Sequence, residues 1–159
     1  MLRKIVWVFA LSLLAACGGG GPPTSGETAA PTATVTSLTP AEITAAMGKL
    51  PAPYNTADYT AGRTVFAQCR SCHVIEAGAG NRVGPNLHGL IGRRVGSEAG
   101  FAYSDPLKNA TFNWDADHLD HWLAGPQAYL PGTRMAFVGV RDETQRRNLI
   151  AYLMVESAH

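Results

Sequence analysis

The stretch QCRSCHV, Gln68 to Val74, sets two thiols three residues apart and puts an imidazole directly after the second. The whole 159-residue chain holds only three cysteines, and the region after the N-terminus spends none beyond Cys69 and Cys72. No disulfide framework can therefore organise the fold beyond that one pair. A Cys-x-x-Cys pair serves three chemistries: a thioredoxin-like redox couple, half of a zinc site, or a covalent haem attachment site. Zinc needs four ligands, and no second Cys-x-x-Cys or His-x-x-x-His follows at finger spacing. A redox couple belongs in a βαβ context, and no strong strand alternation surrounds this motif. The histidine decides. Three residues make about one helical turn, so both thiols project to one side, where two thioethers to haem vinyl groups can form. The next residue then sets its imidazole beneath the iron. Cys-x-x-Cys-His marks a single covalent c-type haem, with His73 as the proximal axial ligand.

The second axial position separates two kinds of protein. A sixth protein ligand closes the iron for electron transfer, whereas an open face suits a peroxidase-like haem enzyme or a gas sensor. The candidates are Met135, Met154, His88, His118, His121 and His159. Met135 lies in LPGTRMAF, where Pro131 and Gly132 break the chain into a loop able to wrap over a flat cofactor. Met154 lies inside the periodic segment RRNLIAYLMVE and reads as core. His118 and His121 share one helix face in DADHLDHW and read as solvated. Met135 is the expected distal ligand, which favours electron transfer.

The N-terminus has a different character. MLRK is a short basic segment, followed by the apolar run IVWVFALSLLAA and then Cys17. That run falls short of the ~20 residues a bilayer span takes, so residues 1–16 read as a secretory signal. The block LAAC, Leu14 to Cys17, resembles a bacterial lipobox, which implies a lipid on Cys17 and a membrane-tethered mature protein. Several acyl chains anchor firmly where one gives only marginal binding. Residues 17–53 are rich in Gly, Pro, Ser and Thr and read as a flexible linker, with an r.m.s. reach of roughly 30–35 Å. The segment PAEITAAMGKL within it is compatible with a short helix but is not counted as part of the folded unit, which is placed at residues 54–159. The formal net charge of +1 excludes the strongly basic surface of a nucleic-acid binder.

From about Ala57 to Tyr152 the chain resembles class I cytochrome c of the mitochondrial and alphaproteobacterial type. CRSCH is followed at the family's spacing by GPNLHGLIGRRVG, GFAYSDPLKNATFNW, LAGPQAYLPGTRMAFVG and RRNLIAYL. The resemblance implies an all-α fold in which helices near 57–69 and 143–155 cross, a shorter helix near 117–123 lies between, and long loops wrap the haem. It implies that Pro85 offers its carbonyl to His73, and that Arg93, Tyr103 and Trp114 donate to the haem propionates with help from Ser104. Thr133 and Phe137 then flank the methionine loop, with Phe137 shielding the haem edge. A buried carboxylate without such donors is very costly. Two departures fall near the iron: Trp122 replaces a tyrosine and Leu107 an asparagine.

A third departure concerns charge. From Tyr54 onward there are ten Lys and Arg against ten Asp and Glu. Gln68, Gln127, Ala128 and Asp142 stand where mitochondrial relatives carry lysines, while Arg70, Arg134 and Arg141 keep some positive charge. Steering toward an acidic partner is expected to be weak, and a tether would compensate by raising local concentration. The chain is expected to be a monomeric carrier, which the signal segment and the lipobox-like block place in the bacterial cell envelope, lipid-anchored and facing the periplasm. It would pass single electrons from a quinol-oxidising cytochrome bc complex to a terminal oxidase, or to a periplasmic reductase.

Overall fold

Residues 37–159 are described by a computed structural model, and their regular elements are helices. In chain order they are α1 (Pro40–Met47), a 3-10 turn (Tyr54–Thr56), α2 (Tyr59–Phe66), α3 (Asp105–Asn109), α4 (Ala116–Ala124), α5 (Pro126–Tyr129) and α6 (Glu143–Glu156). Among the described residues there is no strand, only an isolated antiparallel bridge between Arg94 and Asn113. The expected all-α architecture is the observed one. The expectations for the signal segment, for Cys17 and for the linker up to residue 36 lie outside the described residues.

An aspartate starts each helix of the frame. Asp58 accepts from the Ala61 N–H, Asp115 from His118 and Asp142 from Gln145, each capping one of the free donors of the first turn. α2 and α6 then cross face to face. Gly62 makes this possible: a Cβ there would lie 2.1 Å from the Asn148 carbonyl oxygen and 2.8 Å from Tyr152 Cβ. With no side chain at the crossing, the Phe66 and Tyr152 rings approach to 5.0 Å between centroids. Asn148 closes the same junction by accepting from the Asp58 N–H at 3.0 Å. Gly62→Ala gains about 1 kcal/mol of helix propensity but forces backbone apart at a cost of about 3 kcal/mol. The expected net loss is about 2 kcal/mol, read from thermal melting of the holoprotein; an unchanged melting temperature would contradict this crossing.

Beneath the crossing, Leu149 and Leu153 of α6 join Ile75, Val95, Trp114, Leu119 and Trp122 in the main core. A second, smaller cluster forms on another side of α6, where Met47 packs against Ala151 and Val155. This places the ordered chain earlier than the boundary at residue 54. The linker expected up to residue 53 instead contains α1, because Thr39 and Glu42 cap each other's backbone reciprocally and Pro40 occupies the first helical turn. Arg146, buried in α6, ties the frame together. Its Nε and Nη2 donate to both carboxylate oxygens of Asp120 on α4, at 2.8 and 3.2 Å. Its Nη1 donates to the Val140 and Arg141 carbonyls at 3.0 and 2.9 Å.

Candidate haem site

The cysteine motif continues from α2 as a further tight turn. Cys69 N–H donates to Phe66 O at 2.8 Å, and the N–H groups of Cys72 and His73 both donate to Cys69 O, at 3.1 and 2.9 Å. Both thiols are half-buried and free, and burial, with Cys72 adding to it, pushes the Cys69 thiol up to about 11. The loop after the motif is zipped back onto it. Gly84 N–H donates to Cys72 O at 2.9 Å, and Leu87 N–H to Val74 O at 2.8 Å. Asn86, buried, accepts from the His88 N–H and donates to the Glu76 carbonyl, while its own N–H meets Asn81 Oδ1.

These bonds deliver the Pro85 carbonyl to His73 Nδ1 at 2.8 Å. Gly84 is pressed so closely to the imidazole that a Cβ would sit 2.3 Å from Cε1 and 2.8 Å from Nε2. Burial holds the imidazole below its ordinary pKa, opposed by the Pro85 contact. A neutral ring with Nδ1–H spent on a carbonyl carries its lone pair on Nε2, the form that ligates a metal. Gly84 was not picked out from sequence; its only signal was its place before Pro85.

The methionine loop is pinned at both ends. At its exit, Gly139 (φ +96°) lies so close to α4 that a Cβ would meet the Ala124 carbonyl oxygen at 2.2 Å, and Val140 N–H donates to Leu123 O at 2.7 Å. Inside the loop a turn at Pro131–Gly132 brings the Thr133 N–H to Leu130 O at 3.2 Å, with Gly132 supplying the positive φ of +85°. Thr133 is buried and its hydroxyl accepts from the Met135 N–H at 3.3 Å. Met135 and Phe137 are half-buried against the same main core that Cys69 borders. Trp122 lies in that core with its ring 5.5 Å from Trp114, and Leu107 is buried there too.

The polar residues expected near the propionates divide into two kinds. Ser104 stands at the N-cap of α3 yet makes no capping bond, and its buried Oγ has no partner. A buried hydroxyl left this way calls for a polar guest. Tyr103 is buried, its phenol raised above the ordinary range by that burial and lowered in part by Arg93. Trp114 is buried between Phe112 and Trp122. Arg93 is committed within the protein: its guanidinium donates to the His88 and Asn86 carbonyls at 3.0 and 2.9 Å and pairs with Glu98. Glu98 as its partner was not anticipated.

Two of the other candidate histidines are engaged elsewhere. His118 pairs with Asp115 at 2.7 Å and stacks on Phe112, and His121 stacks on Tyr129. Among the described residues, no cluster of three or more His, Cys, Asp or Glu suits a free metal ion. Beside Phe137 lies a shallow open groove of about 670 Å³, lined by Ala124, Gln127, Ala128, Val138 and Arg141 among others. The glycine cradle at His73, the unpartnered Ser104 hydroxyl and the nitrogen, thiol and thioether donor set fit a covalently bound haem.

Comparison with known proteins agrees with this geometry. Cytochrome c of Ginkgo biloba is 44% identical over 97 residues, covering 60% of this chain and 86% of that protein. Cytochrome c2 of Blastochloris viridis is 46% identical over 102 residues, covering 64% and 80%. Among solved structures, cytochrome cH from Methylobacterium extorquens matches with a TM-score of 0.57 and 42% identity, over 61% of this chain and 97% of that one. No family model matches the chain. Relatives this similar, aligned over most of their own length, make the chain a member of the class I cytochrome c family, an electron carrier with one covalently attached haem c.

Proposed function

We propose that this electron-carrying haem protein attaches its cofactor through Cys69 and Cys72 and holds the iron between His73 and Met135. The observation that carries this reading is the fixed imidazole, with Nδ1 on the Pro85 carbonyl at 2.8 Å and Gly84 against the ring. When bound, haem c supplies a one-electron iron couple. His73 contributes a neutral nitrogen held in one orientation, so little rearrangement accompanies a change of oxidation state. Met135 contributes a soft thioether, which favours the reduced state and raises the potential. Tyr103, Ser104, Trp114 and the free hydrogen of the Thr133 hydroxyl are the donors for the propionates, while Arg93 acts through its remaining Nε–H and its charge.

Partners dock over the groove beside Phe137. Its walls are mostly small and apolar, Val138 is 88% exposed, and Arg141 supplies positive charge at one side. Association there relies less on long-range steering than on contact area, in line with the balanced charge of the domain. The chain works in the bacterial cell envelope on the periplasmic side, with Cys17 lipidated and residues 18–36 serving as tether. It carries electrons from a quinol-oxidising cytochrome bc complex to a terminal oxidase, with a periplasmic reductase as the other acceptor of the same kind.

Cys17→Ser tests both the tether and the route. The variant is expected in the soluble periplasmic fraction, and quinol-fed membranes should reduce it at least tenfold more slowly than the anchored protein, because the local concentration is lost. Retention in the membrane fraction would mean that the lipid is not the anchor. Failure of quinol-fed membranes to reduce the wild type would remove the proposed donor.

A further inference from the structure

The loop that carries Met135 is held from α5 by a residue with no part in the haem reading above. Gln127 Nε2 donates to the Thr133 carbonyl at 2.7 Å and to the Met135 carbonyl at 3.4 Å. An amide nitrogen carries two hydrogens, so one side chain serves both acceptors. The Met135 N–H is meanwhile held by the Thr133 hydroxyl at 3.3 Å. Both backbone polar groups of the methionine are therefore tied, the N–H from within its own turn and the carbonyl from α5.

α5 is a firm base for this contact. Pro126 is buried at its first turn, and the Ala128 and Tyr129 N–H groups both donate to Gly125 O at 3.0 Å. Gly125 in turn continues from α4, which the loop's exit also grips at Gly139. The span from Gly125 to Gly139 contains no lysine, and its one cation, Arg134, turns to the Ala102 carbonyl. Nothing else in the loop competes with Gln127 for those two carbonyls.

We propose that Gln127 is a positioning residue for Met135: through the Thr133 and Met135 carbonyls it sets where the thioether sits, and so how firmly the sulfur holds the iron. This rests on Met135 being the distal ligand. Gln127 is exposed, so water competes for its bonds and the effect is that of one ordinary neutral hydrogen bond, roughly fivefold in an equilibrium or rate.

The test uses the full-length holoprotein with Gln127→Ala, Gln127→Glu and, as reference, Met135→Ala. Glutamate keeps the shape, but its carboxylate has no donor and faces two carbonyl oxygens; once protonated it regains one O–H. Carbon monoxide binding to the reduced protein at pH 7 should be roughly fivefold faster in both Gln127 variants, with the helical circular dichroism unchanged. In Gln127→Glu alone, the rate should fall back toward wild type as the pH drops through the carboxyl range, about 4.3. Wild-type rates in both variants, or the same pH profile in Gln127→Glu as in Gln127→Ala, would overturn the proposal. A wild-type rate in Met135→Ala shows instead that the ligand assignment is wrong, and the clamp falls with it.

Discussion

Met135→Ala should abolish the weak near-infrared sulfur-to-iron band of the oxidised protein, lower its potential and open the reduced protein to carbon monoxide. The loop supports this expectation because it is fixed around the methionine and independent of its side chain. The Pro131–Gly132 turn, the Thr133 hydroxyl, the Gln127 amide and the Gly139–Ala124 contact all act on backbone. Removing the thioether therefore leaves the loop in place with no donor at its tip. His118 pairs with Asp115 and His121 stacks on Tyr129, so neither is set to replace it. The fall in potential should be on the order of 0.1–0.2 V, a fraction of the about 0.8 V that axial ligation spans across haem proteins. Survival of the band would assign the sulfur to another residue, Met154 being the remaining described methionine near the main core.

Cys69→Ala combined with Cys72→Ala should leave the chain without covalent haem and largely unfolded. Burial of several hundred Å² of porphyrin at about 25 cal/mol per Å² amounts to about 10 kcal/mol. That matches the whole stability of a domain this size, about 5–15 kcal/mol. Ser104 Oγ is buried without a partner in the protein, and leaving such a hydroxyl unsatisfied costs about 1–3 kcal/mol. Far-ultraviolet circular dichroism should show most of the helix signal lost and no cooperative melt. A helical protein that melts cooperatively would mean that the α2–α6 crossing and the Arg146–Asp120 network suffice alone.

Much of this architecture was legible because its causes are local. The turn of the cysteine motif follows from spacing and residue type, the family resemblance implies the three frame helices, and the structure gives α2, α4 and α6 close to the expected bounds. Thr39, Pro40 and Glu42 are compatible with a helix start, but the composition around them is that of a tether, so α1 falls outside the folded unit expected from sequence. Its stability comes from Met47 meeting Ala151 and Val155, over one hundred residues away in the chain, and no local pattern reveals that contact. The short helices α3 and α5, five and four residues long, carry too few apolar positions to show a period.

The site divides along the same line. His73 and Pro85 are brought together by a single loop that folds back onto the motif within about a dozen residues, so the family pattern maps onto it directly. Arg93 is harder to read. Its fork is spent on two carbonyls and Glu98, and Glu98 only becomes its partner once the loop after Val95 folds back. Gln127 marked a missing charge in the sequence; its contact with the methionine loop depends on the angle at which α5 leaves Gly125.

The optical spectrum of the purified wild-type protein tests the central claim most directly. A covalently bound haem with low-spin absorption, a sulfur-to-iron band when oxidised and no ready reaction with carbon monoxide when reduced is the expected result. A colourless protein, or a high-spin pentacoordinate iron, would contradict it.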